Sequence, residues 1–244
     1  MYDARRRAPI GRRSPSTRWR RRPIAASAVA GDRGAMQILC ATDGSISGKA
    51  ALRVSAELAD RLHAELATPA EDASDPAPRL LRAARAAGCD LITVGVVCTS
   101  RSYGRLPGRW RRRVVHDAPC PVMLVPVGAG LAPGSVVLAS DVAELPSQAA
   151  RVAGRLAGRL HAPLIITHVL SHRRAASPTI EWEPHSDAQV LGPDPLARIA
   201  AQHTAALVVI GGRGPGRPLL PHRRRARRLP LDTRLPIIVA TAQG

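Results

Sequence analysis

Residues 36–45 read MQILCATDGS, and residues 134–143 read GSVVLASDVA. Each is a short apolar run that closes near an acid, Asp43 in one and Asp141 in the other. Further on, DLITVG at 90–95 answers to ALVVIGGRGPG at 206–216, and APCPVMLVP at 118–126 answers to LPIIVATAQG at 235–244. Both copies therefore run in one order: a strand closing on Asp, a strand closing on Gly, an Arg-rich segment, and a last apolar strand. A repeat of this kind constrains the architecture before any single motif does.

Between these runs lie segments with helical spacing. Strands alternating with helices point to a parallel sheet covered by helices. In the first copy the pattern predicts strands at 37–41, 91–94 and 122–125. It also predicts a helix over 47–63 with Ser47 as its N-cap, and another over 78–87 stopped by Gly88. After Leu66 the chain passes into an acid- and Pro-rich link, TPAEDASDPAP. The second copy predicts strands at 136–139, 164–169, 189–191, 207–210 and 237–240, with helices over 146–160 and 195–203. Domain limits follow: an extension at 1–35, a truncated first domain at 36–128, a linker at 129–133 and a second domain at 134–244.

The formal charge of +18 would ordinarily suggest a polyanion partner. It is gathered in three places: ten Arg in the first 35 residues, six from Arg101 to Arg113, and seven from Arg213 to Arg228. Lys49 is the single Lys, Phe is absent, and Ala, Gly and Pro abound, a bias that reads as coding composition. Within and beside the second and third clusters the only aromatics are Tyr103 and Trp110, so stacking on single strands has little to work with. Nucleic-acid binding through the Arg clusters stands as a third reading behind two others given below.

Residues 1–35 carry no apolar period and precede a second possible start at Met36, so they read as a disordered or untranslated extension. The run IAASAVAG after RWRRRP is short for an export signal, and no stretch reaches the roughly 18 apolar residues of a membrane span. A soluble cytoplasmic protein is expected, without a membrane partner. Cys40, Cys89, Cys98 and Cys120 have neither zinc-knuckle nor CxxC spacing, and Cys40 and Cys120 read as buried thiols. His161, His168 and His172 straddle a strand and a loop without a matching carboxylate set, so no metal site is expected.

The blocks ILCATDGSISGKAALRVSAELADRLHAEL, DPAPRLLRAARAAGCDLITVG and VVHDAPCPVMLVPV resemble the universal stress protein family. So do VVLASD, LIITHVL, GPDPLARIAAQHTAALVVIGGRG and LPIIVA in the second half. The resemblance implies two tandem, doubly wound parallel-sheet domains of the Rossmann-like UspA type, the first lacking strands. It also implies ligands at the carboxyl edge of the sheet, at the switch point. Nucleotide-binding members hold phosphate on a loop reading G-x2-G-x9-G-[ST] that leads into a helix. Glycines let backbone approach the phosphate, and free N–H groups at a helix start favour anions.

Laid on that pattern, the first copy gives Gly95, Cys98, Gly108 and Arg109, with Asp43 at the end of the first strand. It is a degenerate site, with Cys in place of the second glycine and Arg in place of the hydroxyl residue. The second copy gives Asp141, His168 and Val169 at strand ends, Gly211 and Gly214 for G-x2-G, and Gly216 beside them. Arg224 and Arg225 stand where Gly-Ser belongs; Arg can hold phosphate by charge and paired hydrogen bonds. No catalytic residue is expected: there is no nucleophile elbow, no GxxxxGK[ST] loop and no close carboxylate pair. The resemblance implies a non-enzymatic stress-response factor, with weak ATP binding in the second copy. The competing reading is a nucleotide-free interaction scaffold. In the strand order that the resemblance implies, the first copy, short of strands after Leu66, leaves its first strand as an open sheet edge, so protein partners or a homodimer are expected in either case. Family domains commonly join through their last strands. Here those strands are 122–125 and 237–240, which could also join within one chain.

Overall fold

A computed structural model describes residues 35–69, 75–97, 108–140, 148–168, 195–211 and 234–240. The chain builds β1 (Gln37–Ala41), α1 (Ile46–Leu62), β2 (Glu65–Ala67), α2 (Pro76–Ala87), β3 (Leu91–Val96), α3 (Arg109–Asp117) and β4 (Val122–Pro126). It continues with β5 (Ser135–Ser140), α4 (Gln148–Leu160), β6 (Leu164–His168), α5 (Pro195–Gln202), β7 (Ala205–Gly211) and β8 (Ile237–Ala240). All eight strands form one sheet in the order β2-β1-β3-β4-β8-β7-β5-β6. Reading outward from the centre, each half repeats the other: β4, β3, β1, β2 on one side and β8, β7, β5, β6 on the other.

Every neighbouring pair is parallel except the central one. There β4 meets β8 antiparallel, with Val122 opposite Val239, Met123 opposite Ile238 and Leu124 opposite Ile237. The two last strands thus do join within one chain, and every residue of this seam is fully buried. Helices cover both faces, which is why the central strands read as unbroken apolar runs. Val114 and Val115 of α3, Leu80, Leu81 and Ala84 of α2, and Ile199 and Ala200 of α5 belong to the core on one face. Val54, Leu58 and Leu62 of α1 and Ala153 and Leu156 of α4 belong to the core on the other.

Local signals explain the element ends. Ser45, not Ser47, caps α1: its Oγ accepts from the Gly48 N–H at 3.1 Å, the three-residue reach that a capping hydroxyl needs. Asp75 caps α2 through the Ala77 N–H at 3.1 Å, with Pro76 opening the helix. Gly88 ends α2 in the left-handed region, φ 59°. The tetrapeptide RLHA closes α1 and recurs at the end of α4. Its histidines, His63 and His161, adopt nearly the same left-handed φ, 50° and 49°.

A second expectation is corrected, that of the sheet edge. The turn at His63 sends the chain back along the sheet, and Glu65–Ala67 pairs parallel with β1, so β2 and not β1 is the edge on this side. The shortening expected of the first copy falls on this strand, three residues against the five of β6, rather than removing it. The connection between halves is held rather than loose: Ala129 and Leu131 are buried, and their carbonyls accept from Arg53 and Arg61 of α1. The expected strand at 189–191 and the extension up to residue 34 lie outside the described residues.

Candidate functional site

Beyond the carboxyl ends of β1 and β3, the first half gathers a polar cluster. The Asp43 carboxylate accepts from the Ser45 backbone N–H at 3.1 Å and from the Ser45 hydroxyl, while Ser45 Oγ lies 3.0 Å from Ser47 Oγ. From α3, Arg111 reaches back across the end of the sheet. Its Nε donates to the Gly95 carbonyl at 2.8 Å and an Nη to Ser47 Oγ at 3.4 Å. Its guanidinium also stacks on the neighbouring Trp110 ring, 4.5 Å from the centroid.

Electrostatics tie the cluster together. Partial burial works against the Asp43 charge, but the hydrogen bonds from Ser45 and the Arg111 charge outweigh it and hold the carboxyl below its usual value. Burial lowers Arg111 from its ordinary value, opposed by Asp43, and the guanidinium stays protonated. A fixed cation therefore sits at the mouth of the β1–β3 crevice, with an anion already beside it.

Gly95, expected as the first phosphate-loop glycine, has a packing reason for lacking a side chain. A Cβ there would overlap the Ser47 carbonyl, because the first turn of α1 runs directly against the end of β3. Gly108 precedes α3 and Arg109 opens it, at the helix start where the motif would place its closing pair. The structure thus brings Asp43, Gly95 and Gly108 around one side chain, Arg111, which sequence reasoning passed over in favour of Arg109. The Arg109 side chain is exposed; Arg111, two residues further round the helix, is half-buried and turned inward. Cys98 lies outside the described residues.

In the second half, β7, β5 and β6 are neighbours, Gly211 ends β7 beside Ala240, and Ser140 pairs with His168. Gly211 and the backbone of His168 therefore stand at the carboxyl edge, as expected. Asp141, Val169, Gly214, Gly216, Arg224 and Arg225 lie outside the described residues.

Elsewhere, a polar cleft of about 480 Å³ opens between α2 and α3, lined by Pro78, Leu81, Arg82, Arg85, Arg113 and Asp117. It contains no residue of the Asp43–Arg111 cluster. Arg113 already faces Asp75 at 3.8 Å and Asp117 at 3.6 Å, and Arg85 donates to the Asp117 carbonyl at 3.1 Å. Among the described residues no group of three or more His, Cys, Asp or Glu side chains could hold a metal ion. No described helix is long and apolar enough to cross a membrane.

Residues 68–126, which contain α2, β3, α3 and β4, match the model of the universal stress protein family. Among solved structures, a universal stress protein from Archaeoglobus fulgidus DSM 4304 is similar at 16% identity with a TM-score of 0.57, over 85% of this chain and 98% of that one. A putative universal stress protein from Pseudomonas aeruginosa UCBPP-PA14 aligns at 16% identity with a TM-score of 0.48, over 86% and 94%. At such identity the likeness to the archaeal structure speaks for the fold alone. No curated protein matches the sequence.

Proposed function

We propose that the chain is a tandem, partly degenerate universal stress protein, a non-enzymatic stress-response factor of the cytoplasm whose nucleotide recognition is confined to the second half. The family match over residues 68–126 supports the assignment. The observation that carries the division of labour is Arg111, which bonds Gly95 and Ser47 across the crevice where a ligand of the first half would lie. A site already filled by its own side chains gives up those bonds to admit a ligand. The second half keeps Gly211 at the end of β7 and, in sequence, Gly214 three residues on.

Equilibrium dialysis of the full chain with labelled ATP tests this. Weak saturable binding is expected, abolished by Gly214→Val and unchanged by Asp43→Ala. Loss of binding in the Asp43 variant would move the site to the first half. No saturable binding by the wild type would end the nucleotide reading in favour of the scaffold, whose support is the same self-filled crevice.

A further inference from the structure

Two buried cysteines have no part in that reading. Cys89 and Cys120 are 31 residues apart, yet their sulfurs lie 3.4 Å from one another. Each stands two residues ahead of a strand, Cys89 before β3 and Cys120 before β4, and these strands are parallel neighbours with Ile92 opposite Val122. In that register Cys89 is three residues ahead of Ile92 and Cys120 two ahead of Val122, so nearly level positions at the same edge of adjacent strands bring the two thiols together. Backbone bonds hold both in place: Cys89 N–H to Ala84 O at 3.1 Å, Asp90 N–H to Gln37 O at 2.9 Å and Ile92 N–H to Pro121 O at 3.0 Å.

The other half shows what packing alone requires there. Val208 lies opposite Ile237, so the equivalent positions are Ala205, which is buried, and Leu235, which packs partly buried against the same core. The fold does not need sulfur at this point, and the first half has placed it on both sides of one contact.

We propose that Cys89 and Cys120 form a reversible thiol–disulfide pair, closed by a low-molecular-weight disulfide, that staples the amino ends of β3 and β4. One cysteine sulfur, as thiolate, attacks the external disulfide, forming a mixed disulfide and releasing one small thiolate. The second cysteine loses its proton to water, attacks the first sulfur and expels the other small thiolate. Two protein thiols are oxidised by two electrons, and one external disulfide is reduced to two thiols. Cys89 and Cys120 are only 6% and 7% exposed, but the flanking Gly88 and Asp90 are at the surface, so opening this one turn admits the reagent. The contact with Cys89 and burial both push the Cys120 thiol up, so closure is slow at neutral pH and quickens as pH rises. Nucleotide binding plays no part in this.

Full-length protein incubated with oxidised glutathione, alkylated and digested without reduction provides the test by mass spectrometry. The expected product joins the peptides of Cys89 and Cys120, with fragmentation placing the bridge on Cys89 and not on Cys98, which shares its tryptic peptide. Closing a loop of this length raises the thermal midpoint by about 5–15 °C, reversed by dithiothreitol. A bridge to Cys98, glutathione adducts alone, or thiols left unchanged would each overturn the proposal. The double variant Cys89→Ala/Cys120→Leu carries the second half's own residues, and its midpoint should no longer respond to oxidised glutathione. A response that persists there refutes the pair as its origin.

Discussion

The two halves share a scaffold and differ where it matters for chemistry. Both end their first helix with RLHA, its histidine in the left-handed region, both tie a buried strand to its sheet neighbour through a proline carbonyl, and both contribute the same strand order to one sheet. The Ile92 N–H meets Pro121 O at 3.0 Å, and its counterpart, Val208 N–H, meets Pro236 O at the same distance. Against this common background, Gly88 is replaced by Thr204, Cys89 by Ala205 and Cys120 by Leu235. What is retained is what the sheet and helix ends require. What has diverged lies in turns and at strand starts, where a residue answers to its immediate surroundings.

The largest test of the comparison is at the seam between the halves. Ile238 faces Met123 across the single antiparallel pair, both fully buried. Ile238→Asp places an unpaired carboxylate in that seam and should abolish cooperative thermal unfolding followed by circular dichroism. Ile238→Val should cost only about 0.5–1.5 kcal/mol. A residual cooperative transition in the Asp variant would mean that the first half folds without the second, and the single-sheet unit would then be the wrong description.

A smaller test exchanges the turn residues. Gly88 ends α2 at φ 59° with open space around it, whereas Thr204 holds φ 47° before β7 despite its branched side chain. Left-handed backbone costs a residue with a Cβ about 1–2 kcal/mol, and a β-branched residue is at the unfavourable end. Gly88→Thr should therefore lower stability by roughly that amount, and Thr204→Gly should raise it by less, since glycine also gains entropy in the unfolded chain. Urea denaturation of both variants decides it. Equal and opposite changes would mean that the two turns are interchangeable; a loss in both would mean that Thr204 makes a contact worth more than its strain.

Much of the fold was legible because of burial on both sheet faces. LITVGV and VMLVP are buried at every position, and such runs are hard to mistake. Glu65–Ala67 escaped notice because three residues with a charged one at the start carry no period. The helix RWRRRVVHD buries only Val114 and Val115, so its spacing barely registers among four arginines. In GSIS two serines compete for the cap, and only the reach to the Gly48 N–H separates them. Of the candidate site, Asp43 and Gly95 were found by position, but Arg111 was not. Which arginine of Arg109–Arg113 turns inward depends on where the helix begins and how it packs, and the sequence marks neither. The cysteine pair was hidden by its separation along the chain, since only the register of β3 against β4 brings the sulfurs together.

The finest distinction between the halves is the charge pair at the first crevice, and it has a pH signature. Asp43 titrates below its usual value in the folded chain, so its contribution to stability is fully present above the unfolded value of about 3.9 and is lost as pH falls through the lower folded value. Asp43→Asn keeps the acceptor for Ser45 but removes the attraction to Arg111. The midpoint of wild type should exceed that of the variant by a constant margin from pH 7 to about pH 5, and the margin should close below about pH 4 as the wild-type carboxyl takes up a proton. Asp43 is exposed, so solvent screens the pair and the margin amounts to about a degree. Raising the salt concentration at pH 7 should narrow it further, because an exposed pair is screened where a buried one is not. A margin that closes in acid but is unmoved by salt would assign the effect of the substitution to the Ser45 hydrogen bonds, leaving Arg111 held by Gly95 and Ser47 alone.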